Sequence, residues 1–241
     1  MIELIRNCTH GSDVAVYLVK GGERLIRKCS YTTEGIADLH REARGWEWYA
    51  SKRYQHLQRK PYKISVNKGY ARLDLQWIEG TKGELRKGLI GNQDLIYQAI
   101  QHYCSIWSDC EGQQVPLHGD FSIDNVLHNA DGFHILDWEH FYPNGTFWGF
   151  DAVYLISEAL WFGMTHGRPL RQELLIAVTA LKLLAATGKL PESVTNNPLE
   201  KTKSFMTSNH HIWGPQLAKF PLTNFCDDQI MHLDKQIGAL L

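Results

Sequence analysis

The sequence predicts an α+β, bilobal protein: a small β-rich N-lobe with one helix over residues 1–80 and a mostly helical C-lobe over residues 81–241. Before Gly80, short β-branched and aliphatic runs alternate with glycine turns, and only one segment repeats at helical spacing. After Gly80 the order reverses, and long periodic segments dominate. Charge changes at the same place. Residues 1–80 hold 14 Lys or Arg against 9 Asp or Glu, residues 81–139 hold 3 against 9, and residues 140–241 hold 8 against 8. A basic first third followed by an acidic middle is what an anion site next to a cation site would need.

The elements follow in order. SDVAVYLV (12–19), GGE and RLIRKC read as a β-hairpin, with Gly21-Gly22 supplying the positive backbone dihedrals of a tight turn. TTEGIADLHREARGWEWYASK reads as a helix with Thr33 as N-cap and Glu34 in its first turn. Ile36, Leu39, Ala43, Trp46 and Ala50 recur at helical spacing and define its apolar face. YKISVN and YARLDLQWI read as two further strands joined at Lys68-Gly69. Beyond Gly80, NQDLIYQAIQHYCSIWSDC is a periodic helix. NVLH and FHILDW are short strands around the turn Asn129-Ala130-Asp131-Gly132. GFDAVYLISEALWF and RQELLIAVTALKLLAAT are helices, the second ending at Gly188 with Pro191 beyond it. Residues 228–241 have helical character, whereas 192–220 show no clear period.

Composition excludes several classes. No apolar run reaches the 18 or so residues of a membrane span, and MIELIRNCTHG has no basic-then-apolar signal pattern, so a cytoplasmic location is expected. The five scattered cysteines are odd in number and fit free thiols in a reducing compartment. No CxxC or CxxH pair or His spacing indicates a zinc site. No nucleic-acid partner is expected, and no feature specifies an oligomeric state.

The chemistry concentrates in PLHGDFSIDNVLHNADGFHILDWEHF, residues 116–141. His118, Asp120 and Asn125 fit the spacing H-x-D-x-x-x-x-N, and Asp137 follows at the end of a strand. Phosphoryl transfer needs such a set. One carboxylate orients the attacking hydroxyl and accepts its proton, while an amide oxygen and a second carboxylate hold Mg²⁺ against the phosphates. A loop that turns back on itself, and a hairpin that returns a second strand, would deliver all three.

LHGDFSIDNVL and FHILDWEHF resemble the catalytic and metal-binding motifs of the aminoglycoside phosphotransferase and choline kinase group, which has the protein-kinase-like fold. The resemblance spans most of residues 11–163 and is strongest over 117–139. It implies Asp120 as catalytic base, Asn125 and Asp137 as Mg²⁺ ligands and His118 as a brace of the loop. Asp151 resembles the aspartate that supports that loop from the next helix, and Glu139 would act on the metal at most through water. The same resemblance implies ATP as cofactor beside Mg²⁺. HGSDVAVYLV would then lie over the triphosphate, with Ser12 and nearby amides toward phosphate oxygens. In ERLIRKC either Arg27 or Lys28 could face the nucleotide, since strand alternation turns only one inward; the resemblance favours Lys28. Its acidic partner is expected to be Glu42, with Glu47 the alternative. LDLQWIEGTKG resembles the segment joining the lobes, where Gln76, Trp77 and Ile78 would bond the base through their backbone.

Two features bear on the acceptor. Ser122 stands where protein kinases acting on Ser/Thr carry Lys, and only thirteen residues separate Asp137 from Asp151, too few for a peptide-docking activation segment. Both point to a small-molecule hydroxyl: a sugar, an amino-alcohol or an aminoglycoside-like compound. The rings of Trp138, Phe141, Tyr142, Phe147, Trp148, Phe150, Trp161 and Phe162 could cage a quaternary amine, but core packing is the expected role. Two other functions compete: a nucleotide-binding pseudokinase acting as scaffold or regulator, and a metal-dependent hydrolase using the same carboxylates on water.

Overall fold

Five antiparallel strands with one helix form the first unit of a computed structural model that describes residues 1–6, 14–53, 61–112 and 114–241. The chain divides into two units, Met1–Glu79 with Asp137–Tyr142, and Gly80–Leu136 with Pro143–Leu241. In the first, β1 (Ile2–Arg6), β2 (Ala15–Val19), β3 (Leu25–Ser30), β4 (Tyr62–Asn67) and β5 (Tyr70–Gln76) lie in the order β1-β2-β3-β5-β4. The β2–β3 hairpin pairs Ala15 with Cys29 and Val19 with Leu25, and Gly22 takes φ 56° in its turn, a conformation a Cβ would strain. Strand β1 was not among the expected elements. Its register slips between Leu4 and Arg6, which breaks the alternation that would mark a strand.

The helix α1 (Thr33–Arg53) begins one residue earlier than expected. Thr32, not Thr33, is its cap: the Thr32 hydroxyl accepts the Gly35 amide at 3.1 Å. Leu39, Ala43, Trp46 and Tyr49 are buried, as are Ala71, Leu73 and Leu75 of β5. Each large side chain removed from water contributes about 1.5–3 kcal/mol, so this face holds the helix to the sheet. Residues Asp137–Tyr142 belong to the same unit, and the Trp138 ring lies 5.2 Å from Tyr49 and 5.8 Å from Trp48. Gly45 permits this approach, because a Cβ there would stand 2.5 Å from the Trp138 Cβ.

The second unit contains β6 (Thr81–Lys82), α2 (Gln93–Ile106), β7 (Val115–Leu117), β8 (Val126–Asn129), β9 (Gly132–Ile135) and β10 (Tyr142–Thr146). It continues with α3 (Phe150–Thr165), α4 (Leu170–Ala185), α5 (Glu192–Asn196), α6 (Pro198–Ser208) and α7 (Asp227–Gly238). The β8–β9 hairpin closes at Asn129 and Gly132, as the turn residues require, and β6 pairs with β8. Most of α3 is buried, from Phe150 through Leu160, which makes it the central helix of this unit. Residues 192–220 fold into α5, α6 and short 3₁₀ turns. Two buried acids anchor loops and helix ends here. Glu173 accepts the Leu89 amide at 2.7 Å, and Asp234 of α7 accepts the Leu199 and Glu200 amides at the start of α6, each at 3.0 Å. Trp138, Phe141, Trp148 and Phe150 are buried as core residues. Among the described residues, no helix is long and apolar enough to cross a membrane.

Candidate active site

In the first unit the expected residues converge on one lysine. Strand alternation turns Lys28 toward α1, where its Nζ lies 2.8 Å from a Glu42 carboxylate oxygen and 2.6 Å from Asp137 Oδ1. Burial alone would strip the proton from such an amine. The carboxylates of Asp137 and Glu42 outweigh it and hold the Lys28 ammonium charged. Burial likewise pushes the Glu42 carboxyl up, to about 7 against the pull of Lys28. Glu42 is wholly inside the helix face rather than at its edge, and Glu47 is exposed.

Arg27 takes the other side of β3. Its guanidinium grips Asp74 of β5 in a two-pronged pair, Nε to Oδ1 at 2.7 Å and Nη2 to Oδ2 at 3.0 Å, directly across the register. Arg27 and Lys28 are neighbours in sequence and face opposite ways, so only Lys28 joins Glu42 and Asp137. Ser12 lies outside the described residues. At the end of β5, the Gln76 amide donates to Pro61 O at 2.9 Å and the Trp77 amide to Arg24 O at 3.2 Å. Both amides are therefore committed within the unit, so at Gln76 and Trp77 the backbone groups expected to meet a base would be carbonyls.

Asp137 is the one described non-glycine residue with positive φ, at 60°. An L side chain in that region costs of order 1–3 kcal/mol and persists where the surroundings over-determine it. Here Lys28 and the buried Trp138 that follows supply that determination. Glu139 offers its backbone carbonyl to Arg41 Nε, and its carboxylate lies 3.6 Å from His140 Nε2.

In the second unit the loop after β7 carries His118, Asp120 and Asn125, and each is fixed by a specific bond. His118 Nε2 bonds Leu136 O at 2.8 Å, while its Nδ1 accepts the Asp120 amide at 3.2 Å. A neutral imidazole with its proton on Nε2 satisfies both. Asp151, one residue into α3, is buried. Its two oxygens accept the amides of His118 at 2.9 Å and Gly119 at 3.0 Å. Burial raises the Asp151 carboxyl to about 7 in spite of those two donors. The Asn125 amide nitrogen donates to Asp120 O at 2.9 Å and to Asp120 Oδ2 at 3.1 Å. Because both acceptors are oxygens, the amide must present its nitrogen to them, and its oxygen is the atom turned elsewhere. The Leu136 amide bonds Asn125 O at 2.8 Å, and Asp137 is the next residue in the chain.

Two residues of this unit were not singled out from the sequence. Trp213, in the stretch without a period, donates its indole N–H to Gly119 O at 2.7 Å. Glu158 sits on α3, bonded at Oε1 by the Tyr154 hydroxyl at 2.9 Å, while its buried Oε2 has no hydrogen-bond partner among the described residues. Burial pushes the Glu158 carboxyl well up, and the charges of Asp120 and Asp124 push it further. A glutamate in an otherwise apolar helix was the available signal.

Taken unit by unit, Asn125 in the second and Asp137 in the first each carry an oxygen of the kind a hard cation such as Mg²⁺ takes, and among the described residues no group of three or more His, Cys, Asp or Glu could hold a metal by itself.

The first unit is thus a five-stranded antiparallel sheet with one helix and a buried Lys28-Glu42 pair, and the second is mostly helical with a loop braced by Asp151. Neither a family model nor a curated protein matches the sequence. Among solved structures, the chain is similar to a candidate fructosamine-3-kinase from Haemophilus somnus 129PT, with 12% identity, a TM-score of 0.49, and 100% of this chain and 91% of that one covered. It is also similar to a candidate fructosamine-3-kinase from Thermobifida fusca YX-ER1, with 12% identity, a TM-score of 0.44, and 100% and 93% covered.

Proposed function

We propose that the chain is an ATP- and Mg²⁺-dependent phosphotransferase that phosphorylates a hydroxyl of a small molecule. The observation that carries this reading is the loop in which Asn125 steadies Asp120 through its amide nitrogen and keeps its oxygen for another partner. A carboxylate held in a fixed orientation is what a base for an incoming hydroxyl requires.

In this reading ATP supplies the γ-phosphoryl group, and Mg²⁺ offsets the charge on its oxygens. Asp120 orients the acceptor hydroxyl and takes its proton. Asn125 Oδ1 and the Asp137 carboxylate hold the metal, with Glu139 acting only through water. Lys28, kept charged by its two carboxylates, neutralises phosphate oxygens, and Glu42 fixes its direction. Arg27 takes no part. Ile78 supplies the backbone donor to the base, since the Gln76 and Trp77 amides are engaged. His118 and Asp151 hold the loop.

Among acceptors, a sugar, an amino-alcohol and an aminoglycoside-like compound all fit this reading.

The test is incubation with ATP, Mg²⁺ and a panel of choline, ethanolamine, aminoglycosides and neutral sugars, with products followed by ³¹P NMR. A phosphomonoester from one of these acceptors is expected. Its formation should fall about 10²–10⁴-fold in Asp120→Asn. Product at the parental rate in that variant would remove Asp120 as the base. ATP binding with no product from any acceptor would favour a scaffold, and ATP-independent phosphate release a hydrolase.

A further inference from the structure

We propose that Trp213 is a positioning residue for Asp120, acting through the Gly119 carbonyl; this rests on the reading of Asp120 as the base. The Gly119 residue is held on both of its polar sides. Its N–H is fixed by Asp151 Oδ1 at 3.0 Å, and its C=O by the Trp213 indole N–H at 2.7 Å. Gly119 has φ 86°, a region glycine enters without strain, so its own backbone does little to fix the orientation of the peptide that follows. That peptide is the Gly119–Asp120 bond. Its carbonyl belongs to Gly119 and its N–H to Asp120, and the latter donates to His118 Nδ1 at 3.2 Å. Trp213 and His118 thus hold the two ends of one peptide plane, and the direction in which the Asp120 side chain leaves the backbone follows from that plane.

The donor is itself well anchored. Trp213 is buried, and its ring packs against Phe150 at 6.2 Å, Phe205 at 6.4 Å and Phe220 at 6.1 Å. Phe150 adjoins Asp151 at the start of α3, so the clamps on the N–H and on the C=O of Gly119 are built on one packed cluster. A buried carbonyl that lost this donor would have to find another or turn, and turning rotates the Asp120 amide with it. The last third of the chain thereby enters the catalytic loop 94 residues away in sequence.

The test uses the full chain and Mg²⁺-ATP with water as acceptor, read as ADP release, because that probe needs no identified alcohol. Three variants are compared with the parent: Asp120→Asn, Trp213→Phe, and Phe205→Leu, which loosens the packing around the indole and leaves its N–H. Trp213→Phe is expected to lower kcat about 10-fold with KM for ATP within 2-fold. Deuterium uptake in the peptide spanning residues 117–125 should rise, while that of α4 does not. Phe205→Leu should lower Tm and leave kcat within 2-fold. Should Trp213→Phe fail to fold, β-(3-benzothienyl)alanine at position 213 replaces the N–H by sulfur at nearly constant shape, and the same fall in kcat is expected. Unchanged kcat in either Trp213 variant, with Asp120→Asn strongly impaired, overturns the positioning role and leaves the base intact. Equal losses of kcat in Trp213→Phe and Phe205→Leu reduce Trp213 to a packing residue. Unchanged turnover in Asp120→Asn overturns the reading of the base and the positioning role with it.

Discussion

Lys28 Nζ lies 2.6 Å from Asp137 Oδ1, bringing together two residues 109 positions apart in the sequence. The third partner, Glu42, is almost wholly buried and holds the same ammonium from α1 at 2.8 Å. Removing one member of a buried ion pair costs about 3–5 kcal/mol, chiefly because the other charge is left without compensation. Lys28→Met should therefore destabilise the protein by that order in urea unfolding. Lys28→Met/Glu42→Gln should recover much of the loss, since the deeply buried carboxylate is gone and the one left at Asp137 is partly exposed to water. Both variants should bind ATP at least 10-fold more weakly by calorimetric titration. Arg27→Ala should leave ATP affinity unchanged and cost about 1–2 kcal/mol through Asp74. If Arg27→Ala weakens ATP binding and Lys28→Met does not, the inward-facing cation has been misassigned.

Gly45 sets how closely Asp137–Tyr142 can lie against α1. A methyl group would stand 2.5 Å from the Trp138 Cβ and 2.9 Å from the Phe141 Cβ, and both are atoms at the root of a side chain that cannot swing away. Gly45→Ala should cost about 1–3 kcal/mol as overpacking, although alanine is the better helix former. The displaced segment begins with Asp137, so Mg²⁺-dependent turnover should fall as well. A melting temperature at or above the parent's would show that the segment yields freely.

The backbone of Asp137 stores strain that glycine would release. At φ 60° an alanine carries the Cβ penalty and a glycine does not. Asp137→Gly and Asp137→Ala both remove the carboxylate from Lys28, which isolates the backbone effect. Asp137→Gly should be the more stable of the two by about 1 kcal/mol in denaturant unfolding. Both should lose Mg²⁺-dependent activity. Equal stabilities would mean that the chain relaxes at this position once the carboxylate is gone.

Local pattern made most of the first unit readable, because its helix face and glycine turns are written within a few residues of one another. What stayed open depended on distant partners. Parity alone could not choose between Arg27 and Lys28; the choice is made by α1 on one face and by Asp74 on the other. Thr32 and Thr33 are equivalent as caps in sequence, and the helix start selects Thr32. Residues 192–220 carry no period because their order comes from elsewhere: Asp234 caps α6 from 35 positions away, and Trp213 reaches Gly119. The loop residues His118, Asp120 and Asn125 stand out by their spacing and Asp151 of α3 by resemblance, whereas Glu158 is hidden in an apolar helix. Its significance depends on Asp120 and Asp124 acting on it, which no spacing rule conveys.

Asp151 gives the protein a pH dependence of definite sign. Burial lifts its carboxyl from the ordinary aspartate value near 3.8 to about 7, because the two amides of His118 and Gly119 do not fully replace water. Between those values the folded state holds a proton that the unfolded chain has released. The stability associated with this group is therefore fully present below about pH 4 and lost as pH rises through 7. Asp151→Asn cannot titrate and can still accept one of the two amides. The slope of the urea midpoint against pH between 4 and 7 should be less negative in Asp151→Asn than in the parent. The loop amides should also exchange faster in the variant, since one of the two acceptors is lost. A slope identical to the parent's would show that Asp151 stays ionised in the folded protein across that range, with the two amides alone balancing its burial.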